Sequence, residues 1–245
     1  MKHRFRFLGA RIKSSDAMEV WKISNDEFFQ LTKILRLKIG DEVEAFDARG
    51  NSTSGKIVSL SAKEALLEGL PLKKQEIPTS PIIVGLGVLK PGFMDELLPY
   101  LVELGADEIH IFLQRGVQKK RIGEKSKVRW DKICLAAVKQ CKRAFLPKIQ
   151  QWASLDDFLK ESSFDGRNKL YLNLEAEIAL AADEGNVEKG TCLLVGGEIG
   201  FSELEIDLME EHGFKGRKLG AFVLRAITAS IAATAIVAAK TRGSH

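Results

Sequence analysis

Polar and apolar residues alternate over short stretches in the first third of the chain, and this period of two is typical of strands with one buried face. The alternation appears at residues 4–8 and again at 42–47, after a Gly40-Asp41 turn. Residues 56–60 and 64–67 continue it. Residues 24–37 have helical spacing, with Ser24 or Asn25 as the N-cap. Short strands separated by turns predict a small β-barrel over residues 1–72, and residues 72–81 are predicted to be a linker.

The pattern changes after this linker to strands that alternate with helices. Residues 82–89 form a continuous apolar run, which is typical of a strand buried on both faces. Further strands are predicted at 108–113, 169–174 and 191–195. Helices are predicted at 92–104, 126–145, 201–212 and 219–240, with Gly105 ending the first of them. This order predicts an α/β domain with a parallel sheet over residues 73–242.

The composition fits a reduced, intracellular protein with a real core. The chain has 245 residues, of which 45% are hydrophobic and 29% charged, as in ordinary globular proteins. Its three cysteines, Cys134, Cys141 and Cys192, form no disulfide framework, and the four histidines have no metal-ligand spacing. The basic N-terminus lacks the apolar run of a signal peptide. Residues 226–239 are uncharged but shorter than the roughly 20 residues of a membrane span. We therefore expect a cytoplasmic protein that uses neither a membrane nor a metal.

Positive charge is concentrated in one block of the chain. Residues 115–148 contain twelve Lys or Arg and two acids, a net charge of +10, although the whole chain carries only +4. A basic block in an otherwise slightly acidic protein is the footprint of a polyanion site. A solvated helix face followed by a loop is the alternative.

A pair of glycines, Gly85 and Gly87, follows a predicted strand and suggests a dinucleotide site. The next glycine is Gly92, so the spacing departs from the G-x-G-x-x-G that fits a pyrophosphate. We do not predict a dinucleotide site here. Lys90 is interpreted as a solvated lysine, with a phosphate contact as the alternative.

A second glycine-rich turn, at residues 196–200, carries a stronger signal. It joins a buried strand to a helix that Ser202 is expected to cap. Gly196, Gly197 and Gly200 leave bare backbone whose N–H and C=O groups can bind the edge of an adenine or a ribose. A tight turn without a ligand fits the same spacing, and Glu198 alone is more often a solvated loop acid.

The other distinctive segment, residues 219–229, runs into an alanine-rich helix whose small side chains allow close packing, including at a dimer interface. Arg225 is its lone charge, and an unpaired buried charge is costly. We therefore expect a carboxylate, carbonyl or phosphate partner for Arg225, or a purely structural pairing.

Together these two segments resemble the C-terminal signature of the methyltransferases that modify N3 of a uridine in 16S ribosomal RNA, which belong to the SPOUT superfamily. The first motif is matched by Gly196, Glu198, Gly200, Phe201 and Ser202. The second is matched by Leu219, Gly220, Leu224, Arg225, Thr228 and Ala229. The chain departs from the family pattern at five positions: Gly197 replaces a proline, Ile199 a glycine, Phe222 an arginine, Ala226 a threonine and Ile227 a glutamate.

The resemblance implies an α/β fold in which a PUA-like β-barrel, residues 1–72, precedes a SPOUT domain with a trefoil knot, residues 73–242. It also implies a homodimer that binds S-adenosylmethionine and acts on ribosomal RNA or the small ribosomal subunit. The cofactor would be lined by Leu172, Leu174, Gly196, Gly197, Gly200, Leu219, Gly220, Val223 and Leu224.

We also predict roles for charged residues, and for Glu198 and Arg225 the position beside the glycine turn is the reason. Glu198 would orient the substrate or assist proton removal, and Arg225 would stabilise developing negative charge or bind phosphate. RNA would be bound by Arg4, Arg6, Arg11, Arg115, Lys119, Lys120, Arg121 and Arg143. The alternatives are a catalytically weakened or inactive RNA-binding homologue and a methyltransferase for a different RNA nucleotide.

Overall fold

The computed structural model describes residues 4–14, 18–116, 123–161, 164 and 166–242. The chain forms two units, Met1–Ile77 with Val138–Leu146 and Pro78–Ala137 with Pro147–His245. The first unit thus extends five residues past the boundary proposed from the sequence. Part of the proposed linker is ordered, since the strand Lys73–Lys74 pairs with a strand of the first unit.

The first unit is a seven-stranded mixed sheet. Its strands are β1 (Phe5–Leu8), β2 (Ala10–Ser14), β3 (Glu19–Ser24), β4 (Glu42–Phe46), β5 (Asn51–Leu60), β6 (Glu64–Gly69) and β7 (Lys73–Lys74). They lie in the order β1-β4-β5-β6-β3-β2, with β7 beside β5. Among the strand pairs in the described part of this unit, only β1–β4 is parallel. The sequence interpretation missed β2 and β3, although β3 alternates buried and half-buried residues as a one-sided strand should.

The helix predicted at residues 24–37 is shorter than expected. Helix α1 covers Asn25–Phe29, and a π-helical segment, Gln30–Ile34, continues it. Leu31 lies fully buried in the core of this unit, which also contains Phe7, Trp21, Ile23, Val43, Ala45, Ile57, Ala65 and Leu67. The buried positions of β3 and β4 recur every second residue, so one face of the sheet carries this core.

A distant segment, residues 138–146, completes the first unit. The buried Arg6 guanidinium donates to the carbonyls of Val138 and Arg143, at 3.1 and 2.6 Å. The N–H of Gly50 donates to the carbonyl of Ala144. Such contacts between residues far apart in sequence leave no local pattern, so the sequence assigned these residues to the other domain.

The second unit is built on a six-stranded, all-parallel sheet, as predicted. Its strands are β8 (Ile82–Gly87), β9 (Glu108–Phe112), β10 (Lys148–Trp152), β11 (Asn168–Leu172), β12 (Thr191–Val195) and β13 (Lys215–Arg217). Their order is β10-β9-β8-β12-β11-β13. The central strands β8 and β12 are buried at every residue, as a continuous apolar run indicates. The edge strands β10 and β13 were not predicted.

The helices α2 (Pro91–Glu103), α3 (Glu124–Cys141), α4 (Leu155–Glu161), α5 (Glu203–Glu211) and α6 (Ala226–Arg242) complete the secondary structure, with a short 3-10 turn at Leu180–Ala182. Helix α6 packs against α2, β8 and β12. Residues of α4 and α5 form a second hydrophobic cluster with strand residues such as Phe112 and Leu194. Within the described residues no helix is long and apolar enough to cross a membrane.

The end of α2 and the start of α5 agree with the local sequence signals, whereas the predicted start of α6 is wrong. Gly105 follows α2 with φ of +92°, a conformation that favours glycine. Ser202 caps α5 in a capping box with Glu205. Helix α6, however, begins at Ala226 rather than at residue 219. Residues 219–225 form a loop. The sequence extended the helix through them because an apolar loop that lines a cavity has the same composition as a turn of a buried helix.

Replacing Gly50 by alanine should destabilise the first unit strongly. Gly50 has φ of +103°, and an added Cβ would lie closer than 3.0 Å to Phe145 and to the carbonyl of Gln75. Backbone strain and overpacking together should cost about 3 kcal/mol of unfolding free energy in urea titrations.

Gly40→Ala is the matched control for this change. Gly40 has φ of +96° but open space around the missing Cβ, so only the strain of about 1–2 kcal/mol applies. Equal losses in the two variants would contradict the packing of residues 138–146 against Gly50.

Candidate functional site

The carboxyl ends of three neighbouring parallel strands define the site. Strands β12, β11 and β13 are adjacent and run in the same direction, so the segments that leave them meet at one edge of the sheet. These segments follow Leu172, Val195 and Arg217. Together with the start of α6 and part of α2, they enclose a cavity of about 630 Å³.

The cavity brings together all eleven residues that the sequence proposed for the cofactor and for catalysis. They are Leu172, Leu174, Gly196, Gly197, Glu198, Gly200, Leu219, Gly220, Val223, Leu224 and Arg225. They come from three separate stretches of chain, and their convergence is a property of the sheet order. The assignment of particular roles to them remains a prediction.

The glycine turn after β12 has a shape that favours glycine at two positions. A Cβ on Gly196 would lie 2.9 Å from the carbonyl carbon of Gly200. Gly200 has φ of +71°, and its N–H donates to the carbonyl of Gly197 at 3.2 Å. Bare backbone therefore forms one wall of the cavity.

The Glu198 side chain lies in an open part of the turn. Glu198 Oε2 forms an ion pair with Lys90 Nζ at 3.1 Å, and both side chains are solvent-exposed. An exposed pair of this kind contributes little to stability, so Glu198 can exchange Lys90 for another partner at small cost.

Arg225 differs from the expectation of a buried, paired charge. It is exposed at the rim of the cavity, and within the described part of the chain its side chain has no ion-pair partner. This exposure makes the guanidinium accessible to an anionic partner.

The loop that contains Arg225 is unusually apolar for a surface. Phe222 and Val223 are 83% and 84% exposed, and Ile199 in the glycine turn is 68% exposed. Exposed apolar groups clustered around a cavity mark a surface that a ligand or another protein covers.

A buried ion pair fixes the wall of the cavity at β13. Arg217 Nη2 lies 2.7 Å from Asp183 Oδ1, and both side chains are almost fully buried. Burial raises the pKa of Asp183, but hydrogen bonds from Asn168, Arg217 and the Gly185 N–H, with the charge of Arg217, lower that pKa below its ordinary value. Lys240 of α6 also donates to the Asp183 carbonyl.

The arginines proposed for RNA binding have different environments. In the first unit, Arg4 is exposed and pairs with Glu42, and Arg11 pairs with the buried Glu19. Arg143 there is half-buried, and Arg115 of the second unit is exposed. Lys119, Lys120 and Arg121 lie outside the described residues.

Arg6 requires a correction. Its side chain is only 4% exposed, pairs with Glu44, and stacks on the Phe46 ring at 4.2 Å. A guanidinium that is buried and held in this way stabilises the unit and is not available to RNA.

Sequence reasoning missed several residues of the cavity. Leu89, Phe93 and Glu96 line it on the α2 side, and Arg217 and Lys218 line it at the carboxyl end of β13. Neither β13 nor this face of α2 has a local motif, so only the sheet order reveals them. Among the residues that the structure describes, no cluster of three or more His, Cys, Asp or Glu is placed to hold a metal ion.

Comparison with known proteins identifies the family. A family model described as an RNA methyltransferase domain matches residues 75–238. The chain belongs to this RNA methyltransferase family. A ribosomal RNA small subunit methyltransferase E from Buchnera aphidicola subsp. Schizaphis graminum is 30% identical over 223 residues, 88% of each chain. The protein of the same name from Mesomycoplasma hyopneumoniae is 29% identical over 179 residues, which are 72% of this methyltransferase and 76% of the Mesomycoplasma protein.

Solved structures have the same fold as this methyltransferase. A ribosomal RNA small subunit methyltransferase E from Neisseria gonorrhoeae, bound to S-adenosyl methionine, aligns with a TM-score of 0.84 and 23% identity over 98% of each chain. A predicted RNA methyltransferase from Thermotoga maritima aligns with a TM-score of 0.71 and 27% identity, covering 97% of this chain and 99% of its own.

Removing the Asp183 charge should lower the stability of the methyltransferase, by an amount that depends on pH. Asp183→Asn leaves Arg217 buried without a counter-charge, which should cost about 3 kcal/mol of unfolding free energy in urea at neutral pH. Because the folded-state pKa of Asp183 is lowered, its contribution is present above the unfolded-state pKa, about 3.9, and is lost as pH falls through the folded-state pKa.

The difference between the wild type and Asp183→Asn should therefore shrink in acid. Asp156→Asn is the control, because Asp156 forms an exposed pair with Lys160 and its loss should change the unfolding free energy far less than Asp183→Asn does. A loss in Asp183→Asn that stays constant down to about pH 2 would exclude the ion pair as its cause.

Proposed function

We propose that this chain transfers a methyl group from S-adenosylmethionine to N3 of a uridine in 16S ribosomal RNA of the small subunit. The cavity at the carboxyl ends of β11, β12 and β13 carries the proposal, because it combines bare glycine backbone, apolar side chains and an exposed arginine. Membership of the RNA methyltransferase family and the names of the relatives support the substrate class.

The residues of the cavity fit the proposed cofactor in size and chemistry. A volume of about 630 Å³ lies in the range of small-molecule sites. The N–H and C=O groups of the glycine turn would bind the polar edge of the adenine, and the leucines with Val223 would pack on its faces. The bound S-adenosyl methionine of the Neisseria structure supports this assignment.

The proposed reaction needs a methyl donor, a deprotonated nitrogen and a fixed line between them. When bound, the cofactor supplies an electrophilic methyl on its sulfonium. Glu198 would accept a hydrogen bond from the uracil imide or take its proton. Arg225 would stabilise the negative charge that develops on the uracil oxygens, or would bind a neighbouring phosphate. Positioning and fixed charges would supply most of the rate.

RNA would be held by basic residues of both units. Arg4, Arg11 and Arg143 belong to the first unit, and Arg115 to the second. Lys119, Lys120 and Arg121 complete the proposed set. The net charge of +10 between residues 115 and 148 supports a polyanionic substrate.

The finer features of the fold are also proposals. A PUA-like form of the first unit, a trefoil knot in the second and a homodimer follow from the resemblance to the SPOUT methyltransferases. The exposed Phe222, Val223 and Ile199 support a dimer, because a second copy that covers them would remove apolar surface from water.

One observation keeps an inactive RNA-binding homologue as a second candidate. Ala226 and Ile227 stand where the resembled family has threonine and glutamate, so two polar groups beside Arg225 are missing. An inactive homologue would bind RNA and the cofactor without transferring the methyl group.

Purified chain with S-adenosylmethionine and small-subunit RNA should yield N3-methyluridine, measured by mass spectrometry of the digested RNA. Glu198→Ala and Arg225→Ala should each lower the single-turnover rate at saturating cofactor about a hundredfold, because proton removal and charge stabilisation typically contribute on this scale.

Glu96→Ala, at the α2 side of the cavity, is a control for general damage to its lining. Cofactor binding by calorimetry without methylation of any ribosomal RNA would favour the inactive homologue. Unchanged rates in both Glu198→Ala and Arg225→Ala would remove their proposed roles.

The affinity for RNA should fall steeply with salt, because phosphate contacts release counterions. Arg115→Gln should reduce the slope of log affinity against log salt by about one, in fluorescence anisotropy titrations with a fragment of the RNA. Lys160→Gln, an exposed lysine outside the basic block, should leave the slope unchanged. An affinity independent of salt would contradict the polyanion site.

A further inference from the structure

The side chain of Gln114 lies just after β9 and is almost completely buried, at 5% exposure. It does not line the cavity, and no feature of the proposed chemistry uses it. Its amide nevertheless makes two hydrogen bonds to the main chain of the glycine turn. Gly197 N–H donates to Gln114 Oε1 at 2.6 Å, and Gln114 Nε2 donates to the Gly200 carbonyl at 2.8 Å.

These two bonds fit an amide. One partner is a donor and the other an acceptor, and the glutamine amide offers an acceptor and a donor on the two atoms bonded to Cδ. A carboxylate would place an oxygen against the Gly200 carbonyl. An apolar side chain would leave both backbone groups of the turn without their partner.

The Gln114 amide packs directly against the backbone of two glycines, with no room for a Cβ on either. A Cβ on Gly87 would collide with Gln114 Oε1 and Cδ, and a Cβ on Gly197 would lie 2.7 Å from Oε1. Gly197 also stands where the resembled family has proline, which has no N–H to donate. The Gln114 contact thus depends on the glycine at position 197 in two ways.

Gln114 is itself anchored from the other side. The N–H of the next residue, Arg115, donates to Glu205 Oε1 at 3.0 Å. The other oxygen of Glu205 accepts the N–H and hydroxyl of Ser202 in the capping box of α5. The backbone that carries Gln114 is therefore tied to the helix that follows the glycine turn.

We propose that Gln114 is a positioning residue that holds the Gly197–Gly200 turn in the shape that binds the cofactor. Glycines make this turn flexible. The amide fixes the N–H donor of Gly197 at one end of the turn and the carbonyl acceptor of Gly200 at the other. The inference rests on the proposed function, because it concerns the affinity of the same site for S-adenosylmethionine.

Calorimetric titration of the full chain with S-adenosylmethionine tests the proposal. Gln114→Met keeps the length of the side chain and removes both hydrogen bonds, so the dissociation constant should rise about tenfold to a hundredfold. Gln150→Met is the matched control, since Gln150 is half-buried on the edge strand β10 and does not line the cavity. It should bind like the wild type.

Gln114→Glu supplies a readout that a general loss of stability would not change. The ionised carboxylate can accept from Gly197 but cannot donate to the Gly200 carbonyl, whereas the protonated carboxyl can do both. The dissociation constant of Gln114→Glu relative to the wild type should therefore fall as pH falls from about 8 to about 6, because burial beside a carbonyl raises the pKa of the introduced acid above its ordinary value. The wild type shares every other titrating group, including Glu205.

The possible outcomes separate the two hypotheses. If the wild type does not bind S-adenosylmethionine, the proposed function fails. If the wild type binds but Gln114→Met binds equally well, the positioning role is overturned. A Gln114→Glu variant whose relative affinity is the same at both pH values would also overturn it, and this test remains if Gln114→Met does not fold.

Discussion

The parallel pairing of β12 with β8 on one side and β11 on the other is the constraint on which the site depends. It places the ends of β12, β11 and β13 at one edge of the sheet, so three loops distant in sequence line a single cavity. Full burial of β8 and β12 holds this order, because moving either strand would expose a continuous apolar run. The sheet therefore supplies the rigid part of the site and leaves the chemistry to the loops.

Charged side chains of the second unit differ in burial: one pair is buried and stabilises the fold, whereas the groups proposed for catalysis are exposed. Asp183 and Arg217 are buried together, and their pair fixes one wall. Glu198 and Arg225 are exposed, Glu198 in a weak surface pair and Arg225 with no ion-pair partner among the residues that the structure describes. Buried pairs are costly to rearrange, whereas exposed groups change partners cheaply. The two groups proposed for catalysis are thus the ones that a substrate can engage.

Signals confined to neighbouring residues could be predicted from the sequence. The limits of β12, the C-cap at Gly105 and the Ser202 cap follow from local burial, backbone conformation and hydrogen bonding. The same reasoning failed where the outcome depends on distant residues. It placed residues 138–146 in the wrong unit, extended α6 through a loop, and treated Arg6 as an RNA ligand although Glu44 and Phe46 bury it.

The candidate site shows the same division. Both motif segments that line the cavity were recognisable, because glycine spacing and apolar runs are visible in one dimension. Gln114 was not, because its importance comes from two backbone atoms more than eighty residues away. A turn built from glycines gains close approach to a ligand but loses the conformational restriction that a proline would give it. A buried amide that bonds to both ends of the turn restores that restriction from outside, which explains how this chain can carry Gly197 and still present a defined wall to a ligand.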